Sequence, residues 1–226
     1  MTAIAALAPS DPHRFRNAAE WLRSLGGVPL ERVIFDPWPG TATEADLLRL
    51  VEGDRLCELI DGTLVKKPAG LIASAVAMNL AAGLGYFVKR NNLGVVSGAD
   101  STLRMAATGR IRLPDLCFFA RARLPNGVLP PVPVPTLAPD LAVEVLSEGN
   151  TTAEFDQKLR EYFQSGTRLA WVIDPVPRTV AVYHAPGEPV RVLNENDVLD
   201  GEQVVPGFTM PVGDLFSNIP SARSGG

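Results

Sequence analysis

Residues 140–147 read DLAVEVLS, an apolar run that carries one acid, Glu144, near its centre. Apolar residues on both sides of Glu144 are typical of a central strand that is covered on both faces. A capping box and a closing glycine bound a predicted helix over about 152–165, and LAWVID at 169–174 predicts a second buried strand. This succession predicts an α/β or α+β domain in which a mixed β-sheet is flanked by helices.

The chain upstream of this unit predicts further elements. Residues 56–67 (LCELIDGTLVKK) predict a β-hairpin, because Asp61-Gly62 is a two-residue turn signal between apolar runs. A long helix over 70–90 follows, and IRLPDLCFFA at 111–120 predicts a strand. Extra N-terminal helices are predicted over about 13–25 and 44–53.

Six prolines in residues 124–139 do not mark a domain boundary. They predict a stiff, extended loop, because the core pattern resumes directly afterwards. We therefore assign residues 1–42 to an N-terminal extension of helix and loop, and residues 43–216 to one domain. Residues 1–10 are predicted to be a loose tail, and residues 217–226 to be disordered.

The charge of the chain is unevenly distributed. All 226 residues carry a net charge of −4, and 46% are hydrophobic, which allows a sizeable core and argues against a generally basic nucleic-acid binder. Residues 62–125, however, hold nine basic and two acidic residues, a net of +7. This segment permits contact with a polyanion but does not prove it, since scattered basic residues need not share a face.

Cysteines and leader signals predict the compartment. Cys57 and Cys117 are too few for a disulfide framework and have no CxxC spacing, so both are predicted to be buried thiols. Residues 1–9 are apolar but short, and they lack the basic start of a secretory signal. A cytoplasmic location is therefore predicted.

The uncharged stretch 71–88 requires a choice between a membrane span and a buried helix. Its length just reaches that of a span, but its many alanines, its glycines and Asn79 make transfer into lipid unfavourable. We therefore predict a buried helix and no membrane contact. Small residues recur every four positions and predict close packing against a sheet, or a surface for a homodimer: Ala73, Ala77, Ala81 and Gly85.

Three charged side chains lie in or beside predicted buried elements. Glu144 lies mid-strand, and Asp115 opens the apolar run LCFFA in a similar way. A buried carboxylate is costly to ionise and needs a cation, hydrogen bonds or a raised pKa. A divalent metal would meet the need of both acids, because Mg²⁺ prefers oxygen ligands. Lys158, at the edge of the apolar face of the next helix, could present its ammonium to the same place.

Each of these residues also has a purely structural interpretation. Glu144 could pair with Arg112 or Arg160, Asp115 could cap a turn, and Lys158 could be a solvated helix lysine. Convergence of the three side chains at one place would favour a catalytic role. A solvent-facing Lys158 together with a Glu144–Arg pair would favour a structural role.

Several sequence blocks, taken together, resemble one known family. They are ELIDG at 58–62, RLPDL at 112–116, PDLAVEVLS at 139–147, KLREYFQSG at 158–166 and WVIDP at 171–175, followed by PGF at 206–208 and LF at 215–216. In this order they resemble the Uma-two family of restriction endonucleases, within the PD-(D/E)XK nuclease superfamily. The resemblance covers about residues 43–216 and implies a restriction-endonuclease-like mixed β-sheet flanked by helices.

The resemblance also implies an activity and a site. The activity is that of a metal-dependent DNA endonuclease, which hydrolyses phosphodiester bonds with Mg²⁺ or Mn²⁺. The resemblance implies that Asp115 and Glu144 are metal ligands and catalytic residues, that Lys158 is the catalytic lysine, and that Glu58 is a further ligand. A hairpin-edge acid such as Glu58 could instead simply be exposed.

Two departures from the family pattern bear on this interpretation. The lysine normally lies two residues after the second acid, where this chain has Leu146, so Lys158 on the following helix would replace it. The family's histidine is also missing near residues 72–74, which read IAS. Its absence would alter substrate contact or weaken catalysis.

Within the basic segment, Arg112 and Lys66 are predicted to contact the substrate. Two alternatives to a DNA endonuclease stay open. One is a catalytically weak or inactive nuclease-fold module that binds nucleic acid or protein. The other is a nuclease acting on RNA or on a nucleotide, since the core chemistry would be the same.

Overall fold

The structure is a computed structural model that describes residues 15–220. The predicted loose tail and residues 221–226 lie outside the described residues. In chain order, the helices are α1 (Ala18–Ser24), α2 (Glu44–Glu52), α3 (Leu71–Arg90), α4 (Thr152–Ser165) and α5 (Val212–Leu215). The strands are β1 (Val33–Ile34), β2 (Cys57–Ile60), β3 (Thr63–Lys66), β4 (Gly94–Ser97), β5 (Leu103–Arg104), β6 (Ile111–Arg112), β7 (Leu116–Ala120), β8 (Leu141–Val145), β9 (Leu169–Asp174), β10 (Thr179–Tyr183), β11 (Arg191–Leu193), β12 (Val198–Asp200) and β13 (Thr209–Pro211).

The first main sheet contains five strands in the order β1-β3-β2-β6-β5, with antiparallel neighbours. Its centre is the predicted hairpin, in which β2 and β3 are joined by Asp61 and Gly62. These two residues have φ angles of 47° and 72°, and positive φ at both turn positions is what a type I′ hairpin turn requires. The hairpin prediction is therefore confirmed, together with its turn.

Gly62 is a position at which the hairpin leaves no room for a side chain. A Cβ on Gly62 would lie 2.5 Å from the carbonyl oxygen of Gly40. We expect Gly62→Ala to destabilise the protein by about 1–3 kcal/mol, because a clash is added to an unfavourable backbone angle. Urea denaturation measures the change. Gly85→Ala is the matched control, because no atom lies within 4 Å of the added Cβ, and equal stabilities for the two variants would contradict the prediction.

The second main sheet contains six strands in the order β11-β10-β9-β8-β7-β4. β8 and β9 are parallel and are connected through α4, whereas the other neighbours are antiparallel. Val143 and Val145 of β8 share a buried cluster with α3, and Ala142 shares another with α4. Because alternate residues of a strand face opposite sides, α3 and α4 cover opposite faces of this sheet. The predicted fold class, a mixed sheet flanked by helices, is confirmed.

The predicted strand over 111–120 is wrong in one respect. The segment forms two strands, β6 and β7, which belong to different sheets. Pro114 lies between them and has no N–H to donate to a ladder. The chain therefore passes from one sheet to the other at residues 113–115, and Asp115 lies at this crossing.

The long helix α3 buries its larger aliphatic residues more fully than the small residues of the predicted stripe. Its buried residues recur every four positions: Val76, Leu80, Leu84 and Val88. Ala73, Ala77 and Ala81 are only partly buried and border an open cavity. These three alanines also pack against the core cluster, so the predicted packing holds for them, although the larger aliphatic side chains, which remove more apolar surface from water, form the fully buried face.

By length and composition alone, α3 could cross a membrane, and it is the one helix within residues 15–220 that meets this test. In the folded chain, α3 is tied to the C-terminal segment. The Asn79 side-chain amide donates to the Leu215 carbonyl at 3.0 Å, and α5 packs beside α3. The lack of membrane contact stays a prediction.

Both ends of the described chain are joined to the domain. β1, from the predicted N-terminal extension, adds a strand to the first sheet beside β3. At the other end, Ile219 is buried, and its carbonyl accepts a hydrogen bond from Arg178 at 2.5 Å. The predicted disorder of residues 217–226 is therefore wrong for residues 217–220.

Candidate active site

An open cavity of about 670 Å³ lies where segments of the two main sheets meet α3 and α4. The small side chains of α3 that border it leave room that larger residues would fill. Five charged side chains also line the cavity: Asp54, Lys67, Asp115, Glu144 and Lys158. Three of these are the predicted catalytic residues, so the fold brings residues 115, 144 and 158 together.

Asp115 is held in place by β8. Its backbone N–H donates to the Val143 carbonyl at 3.0 Å, and its Oδ2 accepts from the Val145 N–H at 2.7 Å. Its Oδ1 lies 2.8 Å from the Nζ of Lys67. The side chain is 18% exposed, so one edge of the carboxylate remains accessible from the cavity.

Glu144 projects from β8 into the layer beneath α4 and is 3% exposed. The Tyr162 hydroxyl donates to its Oε1 at 2.5 Å, and the Nζ of Lys158 lies 3.2 Å from its Oε2. Burial raises the pKa of Glu144 to about 7, against the opposing attraction of Lys158. Additional positive charge beside this carboxylate would favour its ionised form.

Lys158 bridges two acids. Its Nζ lies 3.0 Å from Oε1 of Glu58 and 3.2 Å from Oε2 of Glu144, and the residue is 2% exposed. Burial on its own would lower the pKa of Lys158, but Glu144 and Glu58 outweigh burial and raise it. The lysine is therefore charged and is not the solvated helix lysine of the structural interpretation, and Glu144 pairs with it instead of with an arginine.

A buried ionic cluster of Glu58, Arg112 and Glu161 lies behind the cavity. Arg112 is 0% exposed. It donates to Oε2 of Glu58 at 2.7 Å and, through Nε, to Oε2 of Glu161 at 2.6 Å. Burial alone would raise the pKa of Glu58, but Lys158 and Arg112 lower it to about 2. Glu58 is therefore ionised and serves as a counterion within the protein.

These positions correct two predicted roles. Arg112 cannot contact a substrate, because its guanidinium is fully buried and paired with two carboxylates. Glu58 does not line the cavity. Its oxygens bind Arg112, Lys158 and the N–H of Leu113, so it holds Lys158 in place and does not offer a free ligand to a metal.

Of two adjacent lysines, the one at the cavity is Lys67, for which the sequence predicted no role. Lys66 is exposed and does not line the cavity, whereas the neighbouring Lys67 does. Sequence reasoning therefore missed a cavity residue. Strand alternation places adjacent residues on opposite sides, but it does not indicate on which side the cavity lies, so it could not choose between the two lysines.

The basic excess of residues 62–125 is partly neutralised within the protein. Four of its six arginines pair with acids from other parts of the chain: Arg104 with Glu44, Arg110 with Asp61 and Glu161, Arg112 with Glu58 and Glu161, and Arg123 with Asp140. Lys66, Lys89, Arg90 and Arg121 are exposed. Only part of the positive charge of the segment is therefore available at the surface.

The donors in the cavity fit a hard divalent cation held by few protein ligands. Asp115 and Glu144 both offer carboxylate oxygens, and Mg²⁺ commonly uses one or two carboxylates together with waters and substrate phosphates. Within residues 15–220, no three histidine, cysteine, aspartate or glutamate side chains cluster as an all-protein metal cage. The two cysteines are buried free thiols, as predicted, and burial raises the pKa of Cys117 to about 12.

Comparison with known proteins identifies the family. A profile of the Uma2 family, described as "Putative restriction endonuclease", matches residues 44–213. The chain belongs to the Uma2 family. The crystal structure of "a putative nuclease belonging to DUF820" from Anabaena variabilis has a TM-score of 0.65 and 23% sequence identity, and the match covers 76% of this chain and 96% of that chain. At this identity the match shows a shared fold. A search of curated proteins found no match.

Uma2 membership confirms the predicted resemblance and supports a nuclease. Two of the three residues near which the family's histidine is missing lie at the cavity. Ala73 and Ser74 line the cavity, so a larger imidazole there would reach the space in front of the carboxylates. This Uma2 protein has alanine and serine at those positions.

Proposed function

We propose that this Uma2 protein is a metal-dependent endonuclease that hydrolyses phosphodiester bonds in DNA. The observation that carries the proposal is the convergence of Asp115, Glu144 and Lys158 on one open cavity. Two carboxylates and a lysine are the groups that this hydrolysis needs, for a metal and for the charge of a phosphate. A homodimer and a cytoplasmic location stay predictions.

Each residue of the proposed site has its own role in binding the metal or the phosphate. A divalent cation at Asp115 and Glu144 would activate water and offset phosphate charge. Val145 orients the Asp115 carboxylate through its N–H, and the Tyr162 hydroxyl orients Glu144. Lys158, fixed between two acids, would stabilise negative charge that develops on the phosphate, and it needs no reorganisation to do so.

A cleavage assay tests the proposal. The purified protein is incubated with supercoiled plasmid, single-stranded DNA and RNA, in Mg²⁺, in Mn²⁺ or in chelator. We expect cleavage of DNA with either metal and none in chelator, because the carboxylates alone supply no activated water. Preferential cleavage of RNA would favour the alternative substrate, and no cleavage of any substrate in either metal would contradict nuclease activity.

One observation favours the inactive-module alternative. Both carboxylates of the proposed metal site already have an ammonium partner, Lys67 at Asp115 and Lys158 at Glu144. Because these acids are neutralised within the protein, the fold would be stable without a bound metal. Binding of DNA in chelator, without cleavage in metal, is the result that this alternative expects.

A further inference from the structure

Lys67 occupies a position that suits a cation. Its Nζ lies 2.8 Å from Oδ1 of Asp115, and it donates to the carbonyl oxygens of Leu113 at 2.7 Å and Ala99 at 3.4 Å. An ammonium has three hydrogens to donate, and these three oxygens accept all of them. The Lys67 side chain is 7% exposed, so the protein holds this ammonium in one place.

The same oxygens are of the type that a hard divalent cation binds. Carboxylate and backbone carbonyl oxygens are common ligands of such ions. The Lys67 ammonium and a metal ion cannot share Oδ1 of Asp115, because two positive charges at that separation repel each other strongly. The remaining carboxylate oxygen, Oδ2, is bound by the Val145 N–H. A metal that binds Asp115 must therefore compete with Lys67.

We propose that Lys67 is a built-in competitor of the divalent cation at Asp115 and sets the metal affinity of the cavity. The inference rests on the proposed function, since it concerns the same metal. In the metal-free protein, Lys67 neutralises Asp115 and fills the oxygen site. Metal binds once the flexible lysine stem has withdrawn its ammonium from Asp115.

Isothermal titration calorimetry with Mn²⁺, in the absence of DNA, tests the proposal on the wild type, Lys67→Met and Lys66→Met. Methionine keeps much of the lysine stem and removes the charge. We expect Lys67→Met to bind Mn²⁺ at least about tenfold more tightly, since the substitution removes a positive charge that lies 2.8 Å from the Asp115 carboxylate and repels a second cation there. Lys66→Met, which alters an exposed lysine one residue away, should keep the wild-type affinity.

Further variants make the outcome unambiguous. The double variant Lys67→Met/Asp115→Asn should lose the gain in Mn²⁺ affinity, which would assign the bound Mn²⁺ to Asp115.

If Lys67→Met is too unstable for calorimetry, the rise in Tm with Mn²⁺ reports the same affinity. Equal or weaker Mn²⁺ binding by Lys67→Met, or no binding by either protein, overturns the proposal. If the wild type cleaves DNA with Mn²⁺ while Lys67→Met gains no affinity, the competitor role fails and the proposed function stands.

Discussion

Asp115→Asn is expected to reduce metal-dependent DNA cleavage at least about a thousandfold, as the removal of one member of a catalytic set commonly does. Asparagine is the same size as aspartate and keeps an oxygen that can accept the Val145 N–H. It lacks the negative charge that a divalent cation requires. The loss should therefore be one of chemistry, and initial cleavage rates of supercoiled plasmid in Mg²⁺ measure it.

The control for this variant is Asp100→Asn, which makes the same chemical change at an exposed acid that does not line the cavity. It should cleave at the wild-type rate. Circular dichroism and thermal unfolding of both variants show whether the fold is kept. A folded Asp115→Asn protein that cleaves as fast as the wild type would remove Asp115 from the site.

The second large effect is expected on stability. Arg112→Met should reduce the free energy of unfolding by about 3–5 kcal/mol, because removing one partner of a buried ion pair leaves uncompensated charge behind. Arg112 is fully buried, and without it Glu58 keeps only Lys158, and Glu161 only Arg110, as a cationic partner in an interior that solvates charge poorly. Urea denaturation at pH 7 measures the change.

Arg49→Ala is the matched control, since Arg49 pairs with Asp46 on the surface and its side chain is 73% exposed. Such a pair contributes about 0–1 kcal/mol.

The pH of the measurement matters because the pKa of Glu58 is about 2, below its ordinary 4.5. The stabilisation from ionised Glu58 is present above pH 4.5 and is lost as the pH falls towards 2. A loss of less than about 1 kcal/mol for Arg112→Met at pH 7 would contradict the prediction.

Short sequence patterns predicted the turn, the helix and the buried acid whose conformation or burial depends mainly on neighbouring residues in the chain. The Asp61-Gly62 turn was recognisable because few residues tolerate positive φ at two successive positions. The helix over 152–165 was bounded by a threonine cap and a glycine, and the structure has the same limits. Glu144 was identified as a buried acid because its strand is apolar on both sides.

What the sequence could not predict were partners distant in the chain. The segment 111–120 has the composition of one strand, and only its neighbours in space divide it between two sheets. Arg112 is predicted to contact the substrate as a member of the basic segment. Its actual partners, Glu58 and Glu161, are 54 and 49 residues away. The choice between Lys66 and Lys67 depended on the facing of one strand, which hydrophobic pattern alone did not fix.

Lys158 lies between Glu58, which belongs to the buried cluster, and Glu144, which lines the cavity. The Lys158 side chain therefore contributes both to the stability of the fold and to the proposed catalysis. In a mutational scan that scores protein abundance and cleavage separately, Asp115 should affect cleavage alone and Arg112 mainly abundance. Lys158 should affect both, so its loss of activity cannot on its own be assigned to a catalytic role, and its contribution has to be separated by correcting activity for the amount of folded protein.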